Sequence, residues 1–277
     1  MDKIEVAIIN ADSVFEAEKL TVLSARLTQR GHKVSNMSEL LELYNRDYGS
    51  ELLYKLASMP HPNIQRQAMI SVAMVGVSRR FWSQITRHQD DVHFVGGSLQ
   101  YSDYSNVMDV VVPYEIMQMD ADFVGNAALE EGYHKRNYLN TCIDAIHDYS
   151  AAIAMGVPQD AAGYMAPYGM RQIGIMSATA WQWKHMISQR VCRRNSLETQ
   201  YVMLLIWEKL AALSPDLFDT AGPFCCQKGG CQEGHMSCGH FFHDTKVDDE
   251  MHMKGKSLPT AFLDINFPLI RNKEATV

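Results

Sequence analysis

Short apolar runs that suit strands are few in this chain and lie far apart, and this limits its possible folds more than any other feature. Ile4-Glu5-Val6-Ala7-Ile8-Ile9, Met69 to Val75 and Ile173 to Met176 have that character. Most of the intervening chain reads as helix. Asp12 or Ser13 caps a segment reaching about Arg30. Ser38 to Ala57 follows, with Leu40, Leu41, Tyr44, Leu52, Leu53 and Leu56 as core positions, and Pro60 and Pro62 end it. Gly76 leads into a helix from Val77 to about His88. From about Asp122 to Gly156, Leu139, Cys142, Ile143, Ile146, Tyr149 and Ile153 recur at three- and four-residue spacing, which places an apolar stripe on one face. Thr179 to Val191 and Ser196 to Leu213 are again helical. Residues 89 to 106 have a loop composition of Asp, Gly, Ser and Tyr, too long for a plain connector.

There is no regular βαβ alternation, internal repeat or low-complexity tract. The expected fold is α/β, with one domain over residues 1–214 and a Cys-rich extension over 215–277 packed on it. With 25 basic and 32 acidic side chains the net charge is −7, which argues against coating a polymeric nucleic acid. No apolar run approaches the ~18 residues needed to cross a bilayer, and the first residues lack the order of a signal peptide. The expectation is a soluble, cytoplasmic protein without a membrane partner.

Several sources of chemistry are missing. No Gly-rich dinucleotide fingerprint follows the first run, and there is no phosphate loop ending in Gly-Lys-Ser/Thr. Neither a Gly-x-Ser-x-Gly elbow nor a His-Glu-x-x-His helix occurs. Cys225, Cys226, Cys231 and Cys238 crowd the C-terminal part. In a reducing compartment they pack a loop or, as the alternative, hold zinc, although their spacing is not a paired Cys-x-x-Cys arrangement.

The most informative segment runs from Gly76-Val77-Ser78-Arg79 to Gln84-Ile85-Thr86-Arg87-His88-Gln89. Continued as a helix, Gln84, Arg87 and His88 share one face. Arginine supplies a charged fork for phosphate or carbonyl oxygens, and glutamine pairs with an amide edge. The same residues also fit a solvated helix end.

This segment resembles the flavin-dependent thymidylate synthases, whose signature is Arg-His-Arg-x-x-Ser-x-Asn-Glu-x-Ser-x-Arg-Tyr. Ser78-Arg79, Gln84, Arg87 and His88 match its start, and Ser98-Leu99-Gln100-Tyr101-Ser102 falls where the family has Ser-x-Arg-Tyr-Ser. Gly156-Val157-Pro158 looks like the family's Gly-Val-Pro helix. From Pro167 to Pro215 the chain aligns without gaps onto its closing helices, and Cys225, Gly230-Cys231 and Ser237-Cys238-Gly239 resemble a longer branch.

The resemblance implies transfer of one carbon to C5 of a deoxypyrimidine monophosphate, most simply dUMP to dTMP. FAD would be the cofactor, with methylenetetrahydrofolate and NADPH as co-substrates, in a homotetramer whose sites lie between subunits. It implies catalytic roles for Arg190 and Arg87. Gln84, Arg87, Ser98, Gln100, Tyr101 and Arg190 would hold the nucleotide. His61, His88, Gln89, Thr179, His185 and Arg194 would lie on the flavin side.

The departures from the pattern are specific. Gln89 and Gln100 replace signature arginines, Val95-Gly96-Gly97 stands where the Asn-Glu pair belongs, and Gly163 occupies an arginine position. Thr179 and His185 stand for asparagines. Each lost arginine removes a charge-assisted hydrogen bond worth ~1.5–3 kcal/mol, unless Arg171, Arg193 or Arg194 compensates. Two alternatives follow: action on another pyrimidine nucleotide or hydroxymethyl transfer, and a non-catalytic nucleotide- or zinc-binding interaction protein.

Overall fold

Strands β1 (Glu5–Ile8), β2 (Met69–Ser78), β3 (Val92–Gly96) and β4 (Arg171–Thr179) form one sheet in the order β1-β2-β4-β3, antiparallel at every pair. The computed structural model describes residues 1, 3–122, 135–227, 230–239 and 255–274. Helices α1 (Asp12–Arg30), α2 (Met37–Asn45), α3 (Ser50–Ser58), α4 (Arg79–Ile85), α5 (Tyr114–Asp122), α6 (Lys135–Ala154), α7 (Ala180–Arg190), α8 (Leu197–Leu213), α9 (Leu258–Asn266) and α10 (Pro268–Glu274) accompany it.

Alternation along β2 sends Ile70, Val72 and Met74 into the core, where Met176 and Ala178 of β4 join them. The helical side of this core is α8, buried continuously from Glu198 to Trp207. A helix apolar nearly all round belongs in an interior. Trp207 is fully buried, donates from Nε1 to the Phe218 carbonyl at 3.0 Å and lies 6.2 Å from the Phe262 ring. Truncating it to alanine is expected to cost ~3–5 kcal/mol. Leu217, Phe218, Phe262 and Phe267 thus enter the same core as the sheet.

The opposite face of the sheet is open. Ala7, Ala73, Ile175 and Val95 form one row across the four strands, with Val75 and Ile173 paired beside it. Val75, Val95, Ile173 and Ile175 are all exposed.

Two glycines are required by close approach. Gly76, at φ +79°, sits where the β2–β4 register shifts, and a Cβ there would lie 2.4 Å from the Lys3 carbonyl oxygen. At Gly174 a Cβ would lie 2.2 Å from the Trp82 ring.

Three expectations change. The helix expected from Ser38 to Ala57 is broken, because Arg26 takes the carbonyls of Leu43, Arg46 and Asp47 at 3.0, 2.9 and 2.9 Å, and Gly49 restarts the chain as an extended N-cap. Leu53 and Leu56 are buried there, while Leu41 and Leu52 are exposed. The presumed loop 89 to 106 contains β3, since Val92-His93-Phe94-Val95 alternates and finds β4 as its partner. The helix expected from about Asp122 is α6 from Lys135, and its first part lies outside the described residues. No described helix is long and apolar enough to cross a membrane.

Candidate functional site

Two helix ends and one helix start meet beside the sheet. Ser78 caps α4, its Oγ accepting from the Phe81 amide at 3.0 Å. The buried Glu198 of α8 accepts from the Ser78 amide at 2.7 Å and the Ser78 hydroxyl at 2.5 Å. Burial pushes the Glu198 carboxyl up, and the Ser78 bonds oppose that rise. This clamp fixes the start of α4 against α8 and so sets where Gln84 points.

The α4 helix stops at Ile85, so Gln84, Arg87 and His88 do not share a continuous helical face. Arg87 is exposed in the turn and His88 is buried. The His88 amide bonds the Ile85 carbonyl at 3.1 Å, which turns the imidazole inward. There Arg190, the last residue of α7, donates from Nε to His88 Nε2 at 2.9 Å. Its Nη2 donates to the Gln84 carbonyl at 3.0 Å and its Nη1 to Asn195 Oδ1 at 3.4 Å. Asn195 is oriented in turn by donating to the Gln189 and Cys192 carbonyls at 2.7 and 3.1 Å.

The electrostatics follow from these contacts. Accepting at Nε2 makes His88 a neutral imidazole with its proton on Nδ1. Burial, then Arg190, then His185 hold its pKa down at about 4. Arg190 is itself lowered by burial and by Arg87. Among the described residues neither arginine forms an ion pair, so two cations near each other lack a carboxylate.

Gln84 Oε1 accepts from Thr199 Oγ1 at 2.6 Å and from Ser196 Oγ at 3.2 Å. Its acceptor end is occupied, and its NH2 end is the one left to present to a ligand. Ser196, Thr199 and Asn195 were not anticipated as site residues. A Ser at the N-cap three residues before a Thr was the available signal, and it reads equally as a helix start.

The other anticipated residues divide. Ser98, Gln100 and Tyr101 lie on a loop that makes no hydrogen bond to Arg87, Arg190 or Gln84 among the described residues, and Tyr101 is 81% exposed. Leu99 of this loop covers Gly163, where a Cβ would stand 3.3 Å from it, so an arginine there would displace the loop. Gln89 and His61 are exposed, His61 preceding a 3-10 turn at Pro62–Gln65. Thr179 is buried with its hydroxyl capping α7. Arg194 pairs with Glu233 at 2.8 Å. Arg171 is tied to Asp109 at 3.1 Å and to the Gly76 carbonyl at 2.9 Å. Neither arginine is therefore free to replace a lost cation, and Arg193, which lines a cavity with Arg190, is engaged as well.

His185 lies edge-on to His88 at 6.2 Å and shares a hydrogen bond with Gln189 at 2.9 Å; burial lowers its pKa. It opens onto a cleft of about 620 Å³ lined by Tyr54, Pro60, Trp181 and Phe224. That volume is within the range of small-molecule sites. Lys184, in the same wall, is buried, donates to the Ala57 carbonyl at 2.6 Å and to Thr220 Oγ1 at 3.2 Å, and burial lowers it to about 7. A second cavity of about 320 Å³ lies beyond Arg190, lined by Cys192, Cys225, Cys231 and Cys238. Among the described residues no three His, Cys, Asp or Glu side chains are already grouped as a metal site.

A family model described as thymidylate synthase complementing protein matches residues 11–216. The flavin-dependent thymidylate synthase of Geobacter sulfurreducens is 24% identical over 226 residues, covering 81% of this chain and 90% of the relative. That of Pyrococcus abyssi is 24% identical over 205 residues, covering 72% and 79%. Thymidylate Synthase X from Helicobacter pylori, solved with FAD and dUMP, superposes with a TM-score of 0.54 at 15% identity, over 78% of this chain and 97% of that one. The UMP/dUMP methylase PolB from Streptomyces cacaoi, bound with 5-Br dUMP, gives 0.57 at 15% identity, over 78% and 94%. At that identity the likeness is one of fold.

Proposed function

The chain belongs to the flavin-dependent thymidylate synthase family, and from that premise we propose that it methylates dUMP to dTMP as an FAD-dependent methyltransferase. One observation carries the reading: Arg190 is buried among neutral acceptors and near the exposed Arg87, and among the described residues no carboxylate pairs with either. Such a pair attracts an anion. A pyrimidine C5 is a poor nucleophile until charge is stabilised on the ring oxygens. Arg190, held by three neutral acceptors, is placed for that charge, and Arg87 for the phosphate. Neutral His88 positions Arg190 without adding a competing cation. Gln84, its oxygen taken, offers hydrogen-bond donors to a ring carbonyl.

The residues around the 620 Å³ cleft fit the chemistry of FAD: aromatic walls from Trp181, Tyr54 and Phe224, with the neutral His185 beside them. His61, His88, Gln89, Thr179, His185 and Arg194 are assigned to its side, with the Thr179 hydroxyl and Arg194 held in other bonds. When bound, reduced FAD supplies hydride, methylenetetrahydrofolate supplies the carbon, and NADPH restores the flavin. Ser98, Gln100 and Tyr101 are assigned to a nucleotide held between subunits of a cytoplasmic homotetramer. The exposure of Tyr101 on that loop and the open apolar face of the sheet support self-association. Residues 215–277 are read as an extension on the 1–214 domain.

A second reading, another pyrimidine nucleotide or hydroxymethyl transfer, is favoured by the neutral residues Gln89, Gln100 and Gly163. Calorimetric titration of the FAD-loaded protein with dUMP and dCMP tests both. Binding of dUMP, weaker than in relatives with all their arginines, is expected. Preference for dCMP selects the second reading, and failure to bind either nucleotide refutes both.

A further inference from the structure

The thymidylate synthase reading leaves the cysteines unused. Four of them line one cavity of about 320 Å³: Cys192 from the turn between α7 and α8, Cys225 from the helical turn Phe224–Gln227, and Cys231 and Cys238 from residues 230–239. The set differs from the run seen in the sequence. Cys226 lines the 620 Å³ cleft instead, and Cys192 takes its place from a distant segment. All four are thiols, and Cys192 lies within electrostatic range of Cys225 and Cys238.

The charge around the cavity is the second observation. Arg190 and Arg194 line it together with the Glu233 carboxylate, which Arg194 holds at 2.8 Å. Arg190 has neutral partners only. Four thiolates on a divalent cation form a dianion, and a guanidinium with no carboxylate partner among the described residues suits one. Soft thiolate ligands select zinc over the hard divalent ions.

We propose that Cys192, Cys225, Cys231 and Cys238 bind one zinc ion that fastens the C-terminal extension to the α7–α8 turn. Since no three ligands are yet grouped among the described residues, the sulfurs draw in around the ion to the ~2.3 Å of a tetrahedral thiolate site. Closure driven by the metal is the usual behaviour of small thiolate sites. The ion would brace Asn195 and Arg190, because Asn195 bridges the Cys192 carbonyl and Arg190.

The test uses the full chain expressed with added zinc, measured for metal content, then stripped and titrated with Co(II), whose thiolate charge-transfer band reports sulfur ligands. One zinc per chain is expected for the parent and for Cys226→Ser, and well below one for Cys192→Ser and Cys238→Ser. Circular dichroism checks folding; if Cys192→Ser unfolds, the half-buried loop variant Cys238→Ser and the Cys226→Ser control decide. No bound zinc and no cobalt band in the parent overturns the proposal. So does full binding by Cys192→Ser, loss on Cys226→Ser alone, or a Cys192–Cys238 disulfide in the purified protein. None of these readouts involves nucleotide or flavin, so the site stands or falls separately from the enzymatic reading.

Discussion

Replacing His88 by glutamine tests the arrangement around Arg190 through its pH dependence. In the folded chain His88 accepts from Arg190 Nε at 2.9 Å, and burial, then Arg190 and His185, hold it at about 4 instead of 6.5. A base whose folded pKa is lowered binds fewer protons when folded than when unfolded. Between pH 4 and 6.5 the unfolded chain therefore takes up a proton that the folded chain refuses, and stability falls as pH falls. A displacement of 2.5 pH units corresponds to about 3 kcal/mol, present in full above pH 6.5 and lost by about pH 4. That is a large part of the ~5–15 kcal/mol total of a typical domain. Glutamine keeps an oxygen acceptor for Arg190 but does not titrate. Chemical unfolding of both proteins from pH 4 to 7.5 should show the parent losing about 3 kcal/mol more than His88→Gln across the window. The difference between the two curves removes the shared contribution of His185 and the carboxylates. Parallel curves, or a His88 imidazole that titrates at or above pH 6.5 by NMR, would refute the neutral-acceptor role.

Arg190→Ala should lower kcat/KM for dUMP by about 10²–10³ while the protein remains folded, as expected for a group placed at developing charge; normal turnover in that variant removes Arg190 from the site. Thr199→Val deletes the 2.6 Å bond to Gln84 Oε1 and frees the amide to flip. Nucleotide affinity should drop by roughly tenfold, the value of ~1–1.5 kcal/mol for a hydrogen bond, and an unchanged Kd contradicts the oriented amide. Lys184, lowered to about 7 by burial, is bound to fewer protons folded than unfolded between pH 7 and 10.5. Parent stability should therefore rise relative to Lys184→Met across that window by up to about 5 kcal/mol, and a flat difference in unfolding free energy sinks this account.

Periodicity located the elements well because helices and strands bury their faces at different intervals. The apolar run before Asp12, the stretch ending at Arg30 and the two helices after Thr179 stand in the structure within a few residues of where they were read. The misses are tertiary. A guanidinium from α1 decides that the chain breaks after Asn45, and nothing local to residues 38–57 announces Arg26. The strand Val92–Gly96 is flanked by Asp, Gly and Ser, so its composition speaks for a loop until β4 supplies a partner. The meeting of Gln84, His88 and Arg190 is legible only through the order of the motifs that carry the resemblance, not through their own spacing. Ser196, Thr199 and Asn195 orient them by polar contacts across more than one element. The exchange of Cys226 for Cys192 has the same cause: neighbours in sequence face different cavities.

The central claim is that this chain methylates dUMP with a flavin. It is tested most directly by incubating the FAD-loaded protein with dUMP, methylenetetrahydrofolate and NADPH and identifying the nucleotide product by mass spectrometry. The account predicts dTMP, formed only when FAD and all three substrates are present and absent with Arg190→Ala. Unchanged dUMP from a folded protein that has taken up FAD and dUMP would contradict it.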